Sequence, residues 1–279
     1  MHEPLLIGVD FSSRPTRRKP IVVAQGRLHG HALQLQRLET IDTLDGFAAL
    51  LQRPGPWVGG FDLPFGLPRE LVEQLGWPTD WRACIAHYAA LERPRLRDTF
   101  AAFCAARPAG AKFAHRACDR PAGSSPSMKW VNPPVAWMLH AGVPLLLASG
   151  VRLPAHETAA DEARIAGADG GRVALEAYPG LLARELIGAR SYKSDEASKQ
   201  TAELLIARKD LVDALEQGRS RLALRLRLSA ALREALVDDA RGDALDAVMC
   251  LLQVGWATRQ PHWGLPAGVD ALEGWILTA

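Results

Sequence analysis

LLIGVDFSS, residues 5–13, is the stretch whose reading decides the fold. Leu5, Leu6, Ile7 and Val9, with Gly8 among them, form a short apolar run that suits a strand covered on both faces. The run ends at Asp10, and Ser12 and Ser13 follow after Phe11. A carboxylate where a strand leaves the core needs a cation, a metal ion or backbone donors as compensation. The alternative is a turn aspartate that caps the amides and hydroxyls of residues 11–13.

A second run of the same kind, WVGGFD (Trp57–Asp62), also ends in aspartate. Pro64 cannot donate to a sheet ladder, so that strand stops by about Asp62. Between the two runs, Ile21–Ala24 and Leu33–Leu38 read as strands around the glycine-containing turn Arg27–His31, which completes a three-stranded meander. Leu44–Leu51 reads as a short helix with Thr43 as its N-cap. His29 and His31 sit at the hairpin turn, where solvated side chains are the expectation unless a third ligand joins them.

Residues 68–150 read as mainly helical, with helices over Arg69–Gly76, Asp80–Leu91, Leu96–Ala106 and Val135–Ser149, the last open to a break at Pro144. The long Pro-, Gly- and Ser-rich stretch 107–134 carries Lys112, His115, Arg116, Arg120, Lys129 and Trp130. Cations beside an aromatic suit phosphate contact and base stacking; the alternative is a solvated loop. Residues 152–170 are polar and carry no clear pattern. Arg172–Tyr178 returns to strand character, with Glu176 near its end. Leu181–Ile187, Ser194–Glu216 and Leu222–Leu236 read as helices, although RLALRLRL alternates at period two and leaves a strand open there. Asp243–Thr258 is apolar nearly all round, as in a helix buried in the body of the fold. Asp243 and Asp246 are three apart and share a face of it; their alternative role is to complement the helix N-terminus. Trp275–Leu277 reads as a short final strand.

The chain has 279 residues and a formal net charge of +2, so no whole-protein field points to nucleic acid or to a membrane. Four scattered cysteines, with no CxxC pair, argue against a zinc ribbon or a disulfide framework and fit a reducing compartment. No signal peptide or membrane span is read, and a cytoplasmic location is the expectation.

Together these elements predict an α/β fold. It has a mixed five-stranded sheet, made of the antiparallel meander plus parallel strands, in one domain over residues 1–279. A large helical insertion at 68–170 lies between strands four and five. With strands one and four as central neighbours, Asp10 and Asp62 come side by side at one edge. Such acids suit Mg²⁺ or Mn²⁺, hard ions that prefer carboxylate oxygens, and two such ions can serve phosphodiester cleavage.

GVDFSS, GFDLPFGLP, HRACD, EAYPG, GDALDAVMC and EGWI, in that order, resemble the bacterial and archaeal family called domain of unknown function 429, commonly predicted to be ribonuclease H-like nucleases. The resemblance spans Leu5 to Ile276. It implies a ribonuclease H-like core, as in Holliday-junction resolvases, with one acid on the first strand, one at the fourth and one or two on a late helix. Those positions match Asp10, Asp62, and Asp246 or Asp243, and Glu176 is an additional catalytic candidate. The expected activity is thus a divalent-metal-dependent nuclease or phosphodiesterase, with metal at Asp10, Asp62 and Asp246. Phosphate contacts are assigned to Ser12, Ser13, Lys112, Arg116, Arg120 and Lys129. The expected partners are nucleic acid and, as a homodimer, a second copy of the chain. GVDFSS before a hairpin also resembles the phosphate loop of actin-like ATPases and sugar kinases, which makes a nucleotide-binding phosphotransferase the alternative. A non-catalytic binding module on the same fold is a third.

Overall fold

The computed structural model describes residues 4–157 and 171–279. The apolar run of residues 5–9 forms β1 (Leu5–Asp10), which pairs antiparallel with β2 (Ile21–His29) and parallel with β4 (Trp57–Asp62). The meander closes with β3 (Ala32–Ile41), and β5 (Arg172–Glu176) lies parallel beside β4. The sheet order is β5-β4-β1-β2-β3-β6. The sixth strand is a correction to the expected five. It is β6 (Arg225–Arg227), parallel to β3 at the edge. Leu222, Leu224 and Leu226 are buried while Arg225 and Arg227 are exposed, so period-two alternation wins over helix in that segment.

Alternation along each strand divides the core into two layers. Ile7, Val9, Ile21, Val23, Trp57 and Phe61 face one cluster. Leu6, Val22, Ala24, Val58, Val173 and Leu175 face the other. The first is covered by α1 (Leu44–Leu51), α2 (Arg69–Gln74), α3 (Trp81–Ala90), α4 (Arg93–Ala105) and α6 (Val135–Ser149). A short helix α5 (Asp119–Ala122) lies in the intervening loop. The second layer is covered by α7 (Pro179–Ile187), α8 (Ala202–Gln217), α9 (Ala230–Asp238) and α10 (Asp243–Ala257). Helices α2, α3, α4 and α6 of the insertion thus share a single hydrophobic cluster with the sheet. Residues 158–170 of that insertion lie outside the described residues.

Thr43 and Asp80 cap α1 and α3 through their side-chain oxygens, which accept from the amides of Gly46 and Ala83. Helix α6 runs through Pro144 without a break, with Leu139, Val143 and Leu146 buried on its inner face. The segment read as a helix from Ser194 begins its α-helix only at Ala202. Trp275–Leu277 is irregular chain entering a turn rather than a strand, although the Leu277 amide still donates to the Glu176 carbonyl at 2.9 Å.

Two glycines set how closely α10 approaches the sheet. A Cβ at Gly8 would lie 2.0 Å from the Ala247 carbonyl oxygen, and one at Gly60 would lie 2.5 Å from Val254 and 2.9 Å from the Cys250 carbonyl. Gly8 and Gly60 are register partners. They make a groove across β1 and β4 in which the helix backbone rests. Gly8→Ala is expected to destabilise the fold by about 1–3 kcal/mol, the usual cost of overpacking, as measured by urea denaturation.

Candidate functional site

The same alternation that places Gly8 and Gly60 under α10 places Asp10 and Asp62 on that face, two residues further along each strand. They are register partners at the C-terminal ends of parallel neighbours. Helix α10 begins at Asp243, so its first turn, with Asp246, lies beyond the glycine groove and over the two strand ends. Asp10, Asp62 and Asp246 each offer a carboxylate oxygen, and these atoms lie within 4.8 Å of one another. Asp246 is fully buried and the other two are partly exposed.

The cluster is electrostatically loaded. Burial, then Asp246, Asp62 and Asp243, push the Asp10 carboxyl well above the usual carboxylate range, with Lys193 partly offsetting them. Burial, then Asp246, raise Asp62 to about 7. Asp243 is raised to about 6 by burial and then by Asp239. The folded state therefore holds protons that the unfolded chain has already released, and stability falls as pH rises through that interval. The midpoint of thermal unfolding, measured without divalent ions, is expected to drop between about pH 4 and about pH 7. Asp62→Asn should flatten the slope.

Sequence reasoning missed the counter-charge. The Tyr192 hydroxyl donates to Oδ1 of Asp246, and the Lys193 ammonium donates to Oδ2. Burial alone would depress Lys193, but Asp246 and Asp10 outweigh it and hold the ammonium above its ordinary range. Burial and then Asp246 likewise raise Tyr192 well above its usual value. This segment follows α7 as an irregular connection and is locked from behind. The buried Arg208 donates to the Tyr192 carbonyl at 2.9 Å and to the Val237 carbonyl at 2.7 Å. Gly242, at φ +74°, precedes α10; a Cβ there would lie 2.8 Å from Lys193 and 3.1 Å from Tyr192. The glycine of GDALD thus meets both a backbone and a packing requirement. Only that glycine hinted at a neighbour for the helix start.

Asp243 and Glu176 stand outside the group of three. Asp243 lies at the start of α10 and lines the adjoining cleft. Glu176 is buried and belongs to a second network. Arg116 donates to both of its carboxylate oxygens, at 2.6 and 2.7 Å, and to Oδ1 of Asp119 through Nε and Nη2, at 3.1 and 3.0 Å. Its last side-chain N–H reaches the Glu273 carbonyl at 3.2 Å. All five guanidinium donors are engaged. This corrects the reading of Arg116 as a phosphate contact: it is a 2 % exposed internal cation with no donor left over. It equally recasts Glu176, whose Oε2 also accepts from the Phe65 amide at 2.9 Å and so holds the turn that follows Asp62. The motif HRACD is structural here, because Arg116 and Asp119 sit three apart and close on each other.

A cleft of about 510 Å³ opens beside Asp10. Ser12, Ser13, Lys19, Lys193, Arg241 and Asp243 line it on the polar side, and Phe11, Pro133 and Met138 on the apolar side. Lys112, Arg120 and Lys129 are not among its lining residues. Lys112 and Arg120 are exposed and Lys129 is half-buried. No helix among the described residues is long and apolar enough to cross a membrane.

The donor set suits a hard divalent cation: oxygen ligands converge, and burial together with mutual repulsion raises Asp10 and Asp62. Comparison with curated proteins and with solved structures gave no match. A family model described as "Protein of unknown function (DUF429)" matches residues 8–262, and the chain belongs to that family.

Proposed function

We propose that this protein is a divalent-metal-dependent phosphodiesterase acting on nucleic acid, built on a ribonuclease H-like core. The observation that carries the reading is the convergence of Asp10, Asp62 and Asp246 from two strand ends and a helix start. The sheet order supports the core: an antiparallel meander with β4 and β5 added in parallel beside β1.

Asp10, Asp62 and Asp246 would hold Mg²⁺ or Mn²⁺. When bound, such an ion polarises a phosphoryl oxygen and lowers the pKa of a water. Asp10 and Asp62, standing on adjacent strands of a rigid sheet, fix the spacing of the ligand oxygens before any substrate arrives. Ser12 and Ser13 line the cleft beside Asp10, where their hydroxyls and the basic side chains of Arg241 and of Lys19, itself paired with Asp195 at 2.6 Å, would orient the phosphate backbone. Pro133 and Met138 add apolar lining to the cleft. The phosphotransferase alternative calls for two related cores around a nucleotide, and the described residues form one sheet.

The experiment is cleavage of a panel of single-stranded, duplex and branched DNA and RNA with Mn²⁺, using the intact chain and Asp10→Asn. Cleavage by the intact chain that Asp10→Asn abolishes is the expected result. Cleavage unchanged by the substitution would refute the assignment.

A further inference from the structure

We propose that Lys193 is a resident cation of the carboxylate cluster, filling one of two cation positions so that the protein takes up a single divalent ion, on the side of Asp10 and Asp62. The inference rests on the metal reading above and deepens it.

The three acids are not equivalent. Both oxygens of Asp246 are occupied, one by the Tyr192 hydroxyl and the other by the Lys193 ammonium. The carboxylates of Asp10 and Asp62 accept no hydrogen bond among the described residues, yet each offers an oxygen within 4.8 Å of one of Asp246. One end of the cluster is therefore already neutralised from within, and the other is bare. Charge balance agrees. Three carboxylates carry three negative charges, which one ammonium and one divalent ion cancel. A second divalent ion would leave a net positive charge in a half-buried site, where uncompensated charge is costly.

Lys193 cannot drift away at small cost. The carbonyl on its N-terminal side is held by Arg208 at 2.9 Å, and the amide on its C-terminal side, that of Ser194, donates to the Ala240 carbonyl at 3.1 Å. Its stem packs against Gly242, where no side chain could fit. A fixed backbone and a stem packed beside Gly242 thus direct the ammonium to Asp246, on a side chain that is 41 % exposed. Lys193 also borders the cleft beside Asp10. It acts as a positioning residue: it orients Asp246 and leaves the oxygens on the strand side to hold the ion.

The test is calorimetric titration of the full chain with Mn²⁺ alone, comparing the intact protein, Lys193→Met, Lys193→Arg and Tyr192→Phe. The intact protein is expected to bind one ion. Lys193→Met, which removes the charge and keeps most of the stem, should bind two ions, or bind one about tenfold tighter. Lys193→Arg keeps the charge and should stay at one ion, as should Tyr192→Phe, which removes only a hydroxyl. Should Lys193→Met fail to fold without metal, refolding in Mn²⁺ followed by metal analysis of the recovered protein reads the same stoichiometry. Two ions in the intact protein, or one ion at unchanged affinity in Lys193→Met, overturns the proposal and leaves the metal reading standing. Gain of a second ion in Tyr192→Phe also overturns it, because charge would then not be the cause. No Mn²⁺ bound by the intact protein removes both.

Discussion

Arg116→Met is expected to lower the free energy of unfolding by about 3–5 kcal/mol, the usual penalty when one partner of a buried ion pair is removed. Urea denaturation followed by circular dichroism measures it. The residue is 2 % exposed, and its partners Asp119 and Glu176 are 0 % and 5 % exposed. Burial already raises Glu176 against the opposing pull of Arg116. Without the guanidinium, two carboxylates would remain in the interior with no cation. Arg116→Lys should be nearly as damaging, because an ammonium cannot reproduce five donors in a planar fork. Removing the charges together is the control. Arg116→Met combined with Glu176→Gln and Asp119→Asn should recover a large part of the loss, since uncompensated charge rather than lost packing is the cause.

That network and the acidic cluster share a wall, and the consequence is functional. Glu176 holds the Phe65 amide, three residues beyond Asp62. A small cavity of about 70 Å³ is lined by Asp62, Arg116 and Glu176 together. The Arg116 cluster therefore fixes the turn through which β4 leaves the site, and a partly folded Arg116→Met should also lose affinity for Mn²⁺.

Asp62→Asn is expected to move stability and function in opposite directions. Without divalent ions it removes a charge that burial and Asp246 oppose, so the melting temperature at pH 8 should rise. The further rise expected on adding Mn²⁺ to the intact protein should nearly vanish in the variant. Nucleic-acid cleavage should fall on the order of 10³-fold, the loss of several kcal/mol of charge stabilisation. Asp10→Asn should behave alike, because its carboxyl is raised by burial and the same neighbours. An acid kept for structure would show the reverse pattern, with loss of stability in the absence of metal. Differential scanning fluorimetry with and without Mn²⁺ separates the two outcomes.

Much of this arrangement was legible in the chain. Continuous apolar runs marked β1 and β4, and the capping residue Thr43 marked the start of α1, because these signals are local and depend on burial period and side-chain hydrogen bonds. The pattern Gly-Val-Asp at residues 8–10 and Gly-Phe-Asp at 60–62 is a further local signal, whose meaning shows once α10 is seen lying on the glycines. Elements whose identity depends on a neighbour were misread. Arg225–Arg227 is a strand because β3 offers an edge, whereas Trp275–Leu277 meets the edge strand β5 through the single bond from the Leu277 amide to the Glu176 carbonyl and forms no ladder.

The sequence by itself determined the strand ends that carry Asp10 and Asp62, the buried character of α10, and the layering of apolar side chains above and below the sheet. Only the tertiary structure decided which charges meet. It joined Lys193 to Asp246, 53 residues apart, and turned Arg116 inward to Glu176, 60 residues away. Hydrophobic periodicity is written into consecutive residues, whereas the pairing of buried charges depends on which distant segments the closed core brings within a few ångströms, where desolvation makes each partner necessary to the other.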